Sequence, residues 1–167
     1  MFDLACTLEE LYSGTTKKMR VTRTGRGETV LEIKVQAGWG AGTKVTFKGE
    51  GDDMQDIVFV IKEAPHPRFV RVGSNLVAKV KVDLVDALCG YTLKLDLLDG
   101  TTLEAKMIEV LKPGMQVVFS GRGMPRSRGG APGDLLVEFI VEFPKELSEA
   151  QKLRIKAALH EGEVAKL

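Results

Sequence analysis

Basic side chains are concentrated in one short stretch near the N-terminus of this 167-residue chain. Lys17, Lys18, Arg20, Arg23 and Arg26 fall within ten positions that contain no acidic residue. Lysine and arginine side chains bind carboxylates and phosphates through charge-assisted hydrogen bonds. The stretch is therefore a candidate anion-binding surface, and a charged face exposed to solvent is the alternative interpretation.

The same stretch alternates with a period of two residues, which predicts a β-strand. Lys18 and Arg20 would then lie on one face, and Lys17, Met19 and Val21 on the other. If Met19 and Val21 line an apolar groove at a sheet edge, Lys17 stands at its mouth. Such a groove suits an extended peptide with acidic and apolar side chains, bound by strand addition. A strand methionine that only fills the core is the alternative.

No catalytic or metal-binding arrangement is recognisable in the sequence. His66 and His160 have no nucleophile nearby in a recognisable elbow. Cys6 and Cys89 form no CxxC pair, and two cysteines with two histidines cannot supply a zinc site of known spacing. We therefore predict a protein that is not an enzyme and that has no metal site and no cofactor.

Two further charged clusters are more typical of solvated turns than of binding sites. They comprise Glu50, Asp52 and Asp53, and Arg122, Arg126 and Arg128. The acidic cluster lacks the ligand spacing of a calcium-binding loop, and the arginine cluster lies in a loop rich in glycine, proline and serine.

The composition limits the possible functions. Apolar residues make up 44% of the chain and charged residues 28%, which is typical of a soluble globular protein. A formal net charge of +1 argues against nucleic-acid binding over a whole face. No apolar run is long enough for a membrane span, and no signal peptide is apparent, so we predict a cytoplasmic protein without membrane contact.

Alternating or apolar runs separated by glycine-rich turns predict a mostly β fold of sandwich-like domains. The predicted strands are 18–22, 30–35, 44–48, 56–61, 76–82, 93–97, 101–105, 117–119 and 135–141. Asp99-Gly100 between two of these runs predicts a tight hairpin turn.

The chain contains an internal repeat, which predicts two tandem homologous domains. Residues 8–14 align with 84–90, 42–51 with 114–123, and 56–58 with 134–136. Each copy begins with one short helical turn that Gly14 or Gly90 ends. We predict a first β-domain at 1–71, a second at 72–146, and a helical segment at 147–167.

The segment after Pro144 changes to a helical pattern. Ser148 and Gln151 form a capping box, and Gly162 is predicted to end the helix. Leu153, Ala157 and Ala158 share one side of this helix, flanked by Ile155 and Leu159. The apolar side predicts either a helix packed on its own chain or a contact between subunits.

Many motifs, in order along nearly the whole chain, resemble the C-terminal region of DnaJ-type (heat-shock-40) co-chaperones. For the first domain these are residues 8–19, 38–39, 42–47, 56–60 and 65–69; for the second they are 86–90, 98–100, 113–114, 121–125 and 133–135. With only two cysteines the chain resembles the zinc-free class. No His-Pro-Asp triplet is present, so no J-domain is expected within these residues.

This resemblance implies a co-chaperone module whose first domain binds non-native polypeptides and the acidic C-terminal tail of the 70-kDa heat-shock chaperone. Lys17 and Lys18 match the positions that bind the carboxylates of the tail, and Met19, Val21 and Phe69 those that hold its apolar residue. The resemblance also implies a homodimer formed through the terminal helix, with Leu153, Ile155 and Ala157 at the contact. Such a dimer would offer two grooves to one client.

Overall fold

The computed structural model describes residues 1–164, with side chains described through residue 160. The first half contains β1 (Phe2–Cys6), α1 (Leu8–Ser13), β2 (Thr15–Arg23), β3 (Gly27–Val35), β4 (Lys44–Phe47), a 3-10 turn (Asp52–Met54) and β5 (Ile57–Glu63). The second half contains β6 (Phe69–Val72), β7 (Asn75–Asp83), α2 (Leu84–Cys89), β8 (Tyr91–Asp96), β9 (Thr102–Met107), β10 (Gln116–Phe119), β11 (Leu135–Glu142) and α3 (Glu149–Val164). The mostly β architecture predicted from the sequence is confirmed, and β1 and β6 are additional to the nine predicted runs.

The first half has two layers. A sheet of order β1-β5-β4 places β5 at its centre, parallel to β1 and antiparallel to β4. The hairpin β2–β3 forms the second layer. Four of the seven residues of β5 are buried, namely Ile57, Phe59, Val60 and Ile61, which agrees with its nearly continuous apolar sequence.

The second half repeats this order of elements. Its sheet, β10-β11-β7-β6, has β11 parallel to β7 and antiparallel to β10, and the hairpin β8–β9 forms the other layer. The edge strand β6 has no counterpart in the first sheet. The predicted boundary between residues 71 and 72 falls inside β6, which pairs with β7. The division into domains 1–71 and 72–146 stays a prediction.

The inward side chains of both halves form one apolar cluster. Phe59 and Ile61 contribute from the first sheet, and Leu135, Val137 and Phe139 from the second, each 1% exposed or less. Among residues with described side chains, no buried one is polar or charged. Burial of this kind supplies the main free energy of folding.

The short helices α1 and α2 begin and end as the sequence predicts. A capping box between Thr7 and Glu10 starts α1, and Gly14 ends it at φ 78°. A Cβ on Gly14 would lie 3.1 Å from the carbonyl oxygen of Val35, so this position needs glycine for its backbone conformation and for its space. Gly90 ends α2 in the same way at φ 115°.

Arg71 joins the two halves. Its guanidinium donates hydrogen bonds to the carbonyl oxygens of Trp39 (2.7 Å), Gly38 (3.1 Å) and Gly73 (2.8 Å), and it pairs with Glu63 at 3.5 Å. On the other side of the turn, Gly38 lies against the loop that follows β10, where an added Cβ would clash with its backbone. The contact therefore depends on one arginine, whose side chain is 9% exposed, and on one glycine.

The terminal helix differs from its prediction at one end. Ser148 and Gln151 form the predicted capping box, with bonds of 2.9 and 3.2 Å. The helix does not end at Gly162, as predicted, but continues to Val164. A single glycine inside a helix costs about 1 kcal/mol and need not stop it. The last three residues of the predicted segment 147–167 lie outside the described residues.

Candidate functional site

Strand β2 carries four of the five residues predicted to bind a peptide, and its side chains alternate as predicted. Lys17, Met19 and Val21 are half-buried, whereas Lys18 and Arg20 are exposed on the opposite face. Met19 and Val21 pack against the core cluster. On the inward face of β2, the apolar residues Met19 and Val21 thus lie between Lys17 and Arg23.

One edge of β2 has no strand beside it in the described part of the chain. The strand pairs only with β3, from Thr15 opposite Val35 to Arg23 opposite Gly27. Along an antiparallel edge, every second residue points its N–H and C=O groups away from the partner strand. These groups are available to an added peptide strand.

Lys17 connects β2 to β1 and to α1. Its Nζ donates a hydrogen bond to the carbonyl oxygen of Ala5 in β1, and it lies 2.9 Å from Oε2 of Glu10. The Lys17 side chain is 25% exposed. It is therefore a fixed positive charge that still reaches solvent.

Lys18 lies on the other face of the strand, away from Lys17, Met19 and Val21. Its Nζ is 3.1 Å from Oε1 of Glu32 on β3, and its side chain is 67% exposed. Exposed pairs of this kind contribute little to stability, so Lys18 can exchange its partner at low cost. The structure thus places Lys17 on the inward, apolar face of β2 and Lys18 on its exposed face.

Two glutamates of α1 connect β2 to the turn before β6. Glu10 binds Lys17, and Oε1 of Glu9 accepts a hydrogen bond of 2.9 Å from Nε2 of His66. The pKa of Glu9 is lowered, chiefly by a hydrogen bond from its own backbone N–H and further by His66. Burial acts to raise the pKa of Glu10, but hydrogen bonds from the Thr7 N–H and from Lys17 outweigh it and lower the pKa.

Phe69 is not open to a ligand. Its side chain is only 2% exposed and belongs to the core cluster. His66 holds it from one side, because its Nδ1 accepts hydrogen bonds of 3.1 Å from the backbone N–H groups of Arg68 and Phe69. The two rings lie 5.2 Å apart. Of the five predicted residues, Phe69 is the one that the structure places beneath the surface.

Sequence reasoning missed Glu10 and His66 as parts of this arrangement. The Thr7-x-x-Glu10 spacing is a capping-box signature and could have identified Glu10. Nothing local marks His66, since its partner Glu9 lies 57 positions away in the chain.

The predicted dimer contacts on α3 face different directions. Ile155 lines a cleft of about 810 Å³ between α2 and α3, together with Val85, Leu88, Phe143 and Leu159. Leu153 and Ala157 do not line this cleft. The exposed fractions are 67% for Leu153 and 42% for Ile155, so both sides of the helix present apolar surface.

Within the described residues, no group of three or more histidine, cysteine or acidic side chains is arranged to hold a metal ion. None of the helices found there combines the length and the apolar character that crossing a bilayer requires.

Comparison with known families identifies the family of this chain. The family described as the DnaJ C terminal domain matches residues 1–144. This chain belongs to the DnaJ C-terminal domain family. The resemblance predicted from the sequence is thereby confirmed.

Individual DnaJ-family relatives align over most of the chain. Protein psi1 of Schizosaccharomyces pombe is 38% identical over 168 residues, covering 92% of this chain and 44% of its own. Human DnaJ homolog subfamily B member 5 is 38% identical over 172 residues (94% and 49%). Protein SIS1 of Saccharomyces cerevisiae is 31% identical over 164 residues (92% and 47%). The chain spans about half the length of these relatives.

Proposed function

We propose that this DnaJ-family chain is the polypeptide-binding module of a co-chaperone that assists protein folding. Strand β2 would bind both segments of non-native clients and the acidic C-terminal tail of the 70-kDa heat-shock chaperone. The observation that carries the proposal is the edge of β2, which lies beside a solvent-reaching lysine and an apolar face.

Recognition would combine two kinds of contact. The backbone of the bound peptide would add a strand to β2, which gives affinity without sequence preference. Met19 and Val21 would accept an apolar side chain of the peptide, and Lys17 and Lys18 its carboxylates. The preference for acidic peptides then comes from the two lysines, whose contribution weakens as salt screens them.

The ion pair between Lys17 and Glu10 is part of this proposal. At 2.9 Å from Glu10, the Lys17 ammonium is held in place before a ligand arrives. A bound carboxylate would share this ammonium with Glu10, whereas Lys18 would leave Glu32 altogether. Phe69 would act only from beneath, by supporting the packing of the groove.

We further propose that the molecule is a homodimer formed through α3. The helix leaves Leu153, Ile155 and Leu159 exposed, at 67%, 42% and 62%. An apolar helix surface of this kind is unusual on a protein that stays monomeric. Two copies would offer two β2 grooves to one extended client, which raises avidity.

The test is a titration with a fluorescent peptide ending in Glu-Glu-Val-Asp, followed by anisotropy. We expect the double variant Lys18→Ala, Met19→Ala to bind the peptide about tenfold to hundredfold more weakly, because it loses a charge contact and an apolar contact. Binding by the parent protein should also weaken with added salt.

The internal repeat offers a matched control. Lys94 of β8 occupies the position equivalent to Lys18, and it stands opposite Glu104 as Lys18 stands opposite Glu32. Lys94→Ala should leave peptide binding unchanged. Undiminished binding by the Lys18→Ala, Met19→Ala variant would remove β2 from the proposal.

A further inference from the structure

The second sheet carries a row of aliphatic side chains on its solvent face. Val70 pairs with Val77, Val77 with Leu136, and Leu136 with Val118, so one side chain from each of β6, β7, β11 and β10 stands in line. We call these four residues the outer row. With strands about 4.8 Å apart, the row is about 14 Å long.

The direction of the row follows from the burial of its neighbours. Leu76 and Ala78, on either side of Val77, are 2% and 1% exposed and face the core. Because side chains alternate along a strand, Val77 must face outwards. At the two ends of the row, Val70 is 64% exposed and Val118 55% exposed. Val72, two positions after Val70, is 60% exposed and extends the apolar surface.

The row has a sharp polar border. At the next outward-facing position, two residues along each strand, Lys79 pairs with Glu138, and Glu138 with Gln116. The outer row itself contains no polar or charged side chain. A continuous apolar strip across a whole sheet face, with a polar rim, is typical of a surface that binds something.

The fold does not require this row, because the first sheet lacks it. The repeat places Thr46 at the position of Val118 and Val58 at that of Leu136, and these two residues pair in the first sheet. The adjacent row there runs from Asp3 through Val60 to Lys44. Valine at both exposed ends of the row is therefore a feature of the second sheet alone.

The size of the row indicates its occupant. A stable dimer buries about 800 Å² on each partner. The four side chains of the outer row, together with Val72, cannot supply that much contact area. An extended peptide repeats its side chains on one face about every 7 Å, so a 14 Å row receives about three of them. The row needs no charge on its ligand.

We propose that the outer row binds aliphatic segments of non-native polypeptides, as a second client surface distinct from the β2 groove. The inference rests on the proposed chaperone function. The two halves would then differ in specificity. Strand β2 would bind acidic segments, and the outer row would bind segments that are apolar and uncharged. One client could then contact both halves.

The test uses two fluorescent peptides in parallel. The first, Gly-Ser-Leu-Ser-Leu-Ser-Leu-Ser-Gly, has three leucines on one face and no charged side chain. The second ends in Glu-Glu-Val-Asp. We expect Val70→Thr, Val118→Thr to bind the aliphatic peptide about fivefold to tenfold more weakly, because two methyl groups that the bound peptide would cover become hydroxyls. The same variant should bind the acidic peptide like the parent.

The substitutions in these variants are chosen so that the fold is kept. Threonine has nearly the shape of valine and also favours strands, so the sheet should remain intact. Val58→Thr, on the outer face of the first sheet, is the matched control and should change neither titration. Thermal unfolding of all variants checks that the fold is kept, and methyl NMR of the parent should show shifts of the outer-row methyl groups on addition of the aliphatic peptide.

The possible outcomes separate the two proposals. Unchanged aliphatic binding by Val70→Thr, Val118→Thr, or methyl shifts elsewhere in the molecule, would overturn the outer row. Weakened self-association of that variant in sedimentation, without weaker peptide binding, would instead make a second copy the occupant and overturn the inference. The β2 proposal is tested separately. It predicts that the variant Lys18→Ala, Met19→Ala loses binding of the acidic peptide and keeps binding of the aliphatic one.

Discussion

His66 joins two elements next to the candidate site through both nitrogens of its ring. Its Nδ1 accepts the backbone N–H groups of Arg68 and Phe69, so the proton lies on Nε2, which donates to Glu9. The ring is 7% exposed. By joining α1 to the start of β6, His66 fixes the position of Phe69 beneath the surface.

At the residue scale, the two glutamates of α1 predict how stability responds to acid. The pKa values of Glu9 and Glu10 are both lowered from 4.5 by folding. A lowered folded-state pKa stabilises the protein above the unfolded-state value, and this stabilisation is lost as pH falls through the folded-state value.

We therefore expect the melting temperature to fall as pH is lowered from about 5 to about 3. The variant Glu9→Gln, Glu10→Gln keeps the side-chain acceptors but cannot titrate, so its melting temperature should fall less over this interval. Thermal unfolding by circular dichroism measures both. An equal fall in the two proteins would mean that these glutamates do not carry the acid sensitivity.

At the element scale, the tip of the hairpin β2–β3 is fastened to the loop that follows β4. The Thr24 N–H donates to Oδ1 of Asp52 at 2.7 Å, and Arg23 pairs with Glu50. The acidic cluster predicted to be a solvated turn therefore has a structural task. It anchors one end of the strand on which the candidate site lies.

Arg23 makes this anchor sensitive to mutation. Its side chain is 10% exposed, and its Nε has no hydrogen-bond partner among the described residues. Glu50→Ala would leave the mostly enclosed Arg23 guanidinium without its counter-charge, so we expect a loss of about 1–3 kcal/mol in the free energy of unfolding. Urea unfolding measures this loss.

An exposed ion pair on the same hairpin supplies the control. Arg20 and Glu28 lie 3.5 Å apart with side chains 72% and 58% exposed. Glu28→Ala should change the free energy of unfolding by no more than about 0.5 kcal/mol. Equal losses from Glu50→Ala and Glu28→Ala would show that the anchor is no stronger than a surface pair.

At the scale of the whole molecule, the two halves are held differently from the terminal helix. Arg71 joins the halves through the carbonyl oxygens of Gly38 and Trp39 and through Glu63. The helix α3, in contrast, is exposed along its described residues up to 160. Its apolar side chains gain burial only if another surface covers them.

Sedimentation of a chain truncated after Pro144 tests whether that surface is a second copy. We expect the full chain to be a dimer and the truncated chain a monomer. Two double variants of the full chain test the two sides of the helix separately. The cleft side is changed by Ile155→Ser with Leu159→Ser, and the other side by Leu153→Ser with Ala157→Ser. A dimer that survives truncation would exclude α3 as the contact.

The sequence alone determined the features that depend on neighbours in the chain. The alternation along β2, the capping box at Ser148 and the glycine that ends α1 follow from local geometry, and the structure agrees with each. The repeat and the family followed as well, because they lie in the order of residues. β6 escaped detection since it is four residues long and directly follows the Pro-His-Pro turn.

Only the tertiary structure decided which of these side chains meet. The burial of Phe69, the pairing of His66 with Glu9, and the alignment of Val70 with Val118 across four strands all depend on the register between segments far apart in the chain. That register is set by how the sheets bury their apolar faces together. The sequence therefore predicted which strand carries the candidate site, and the fold decided which side chains lie beside that strand.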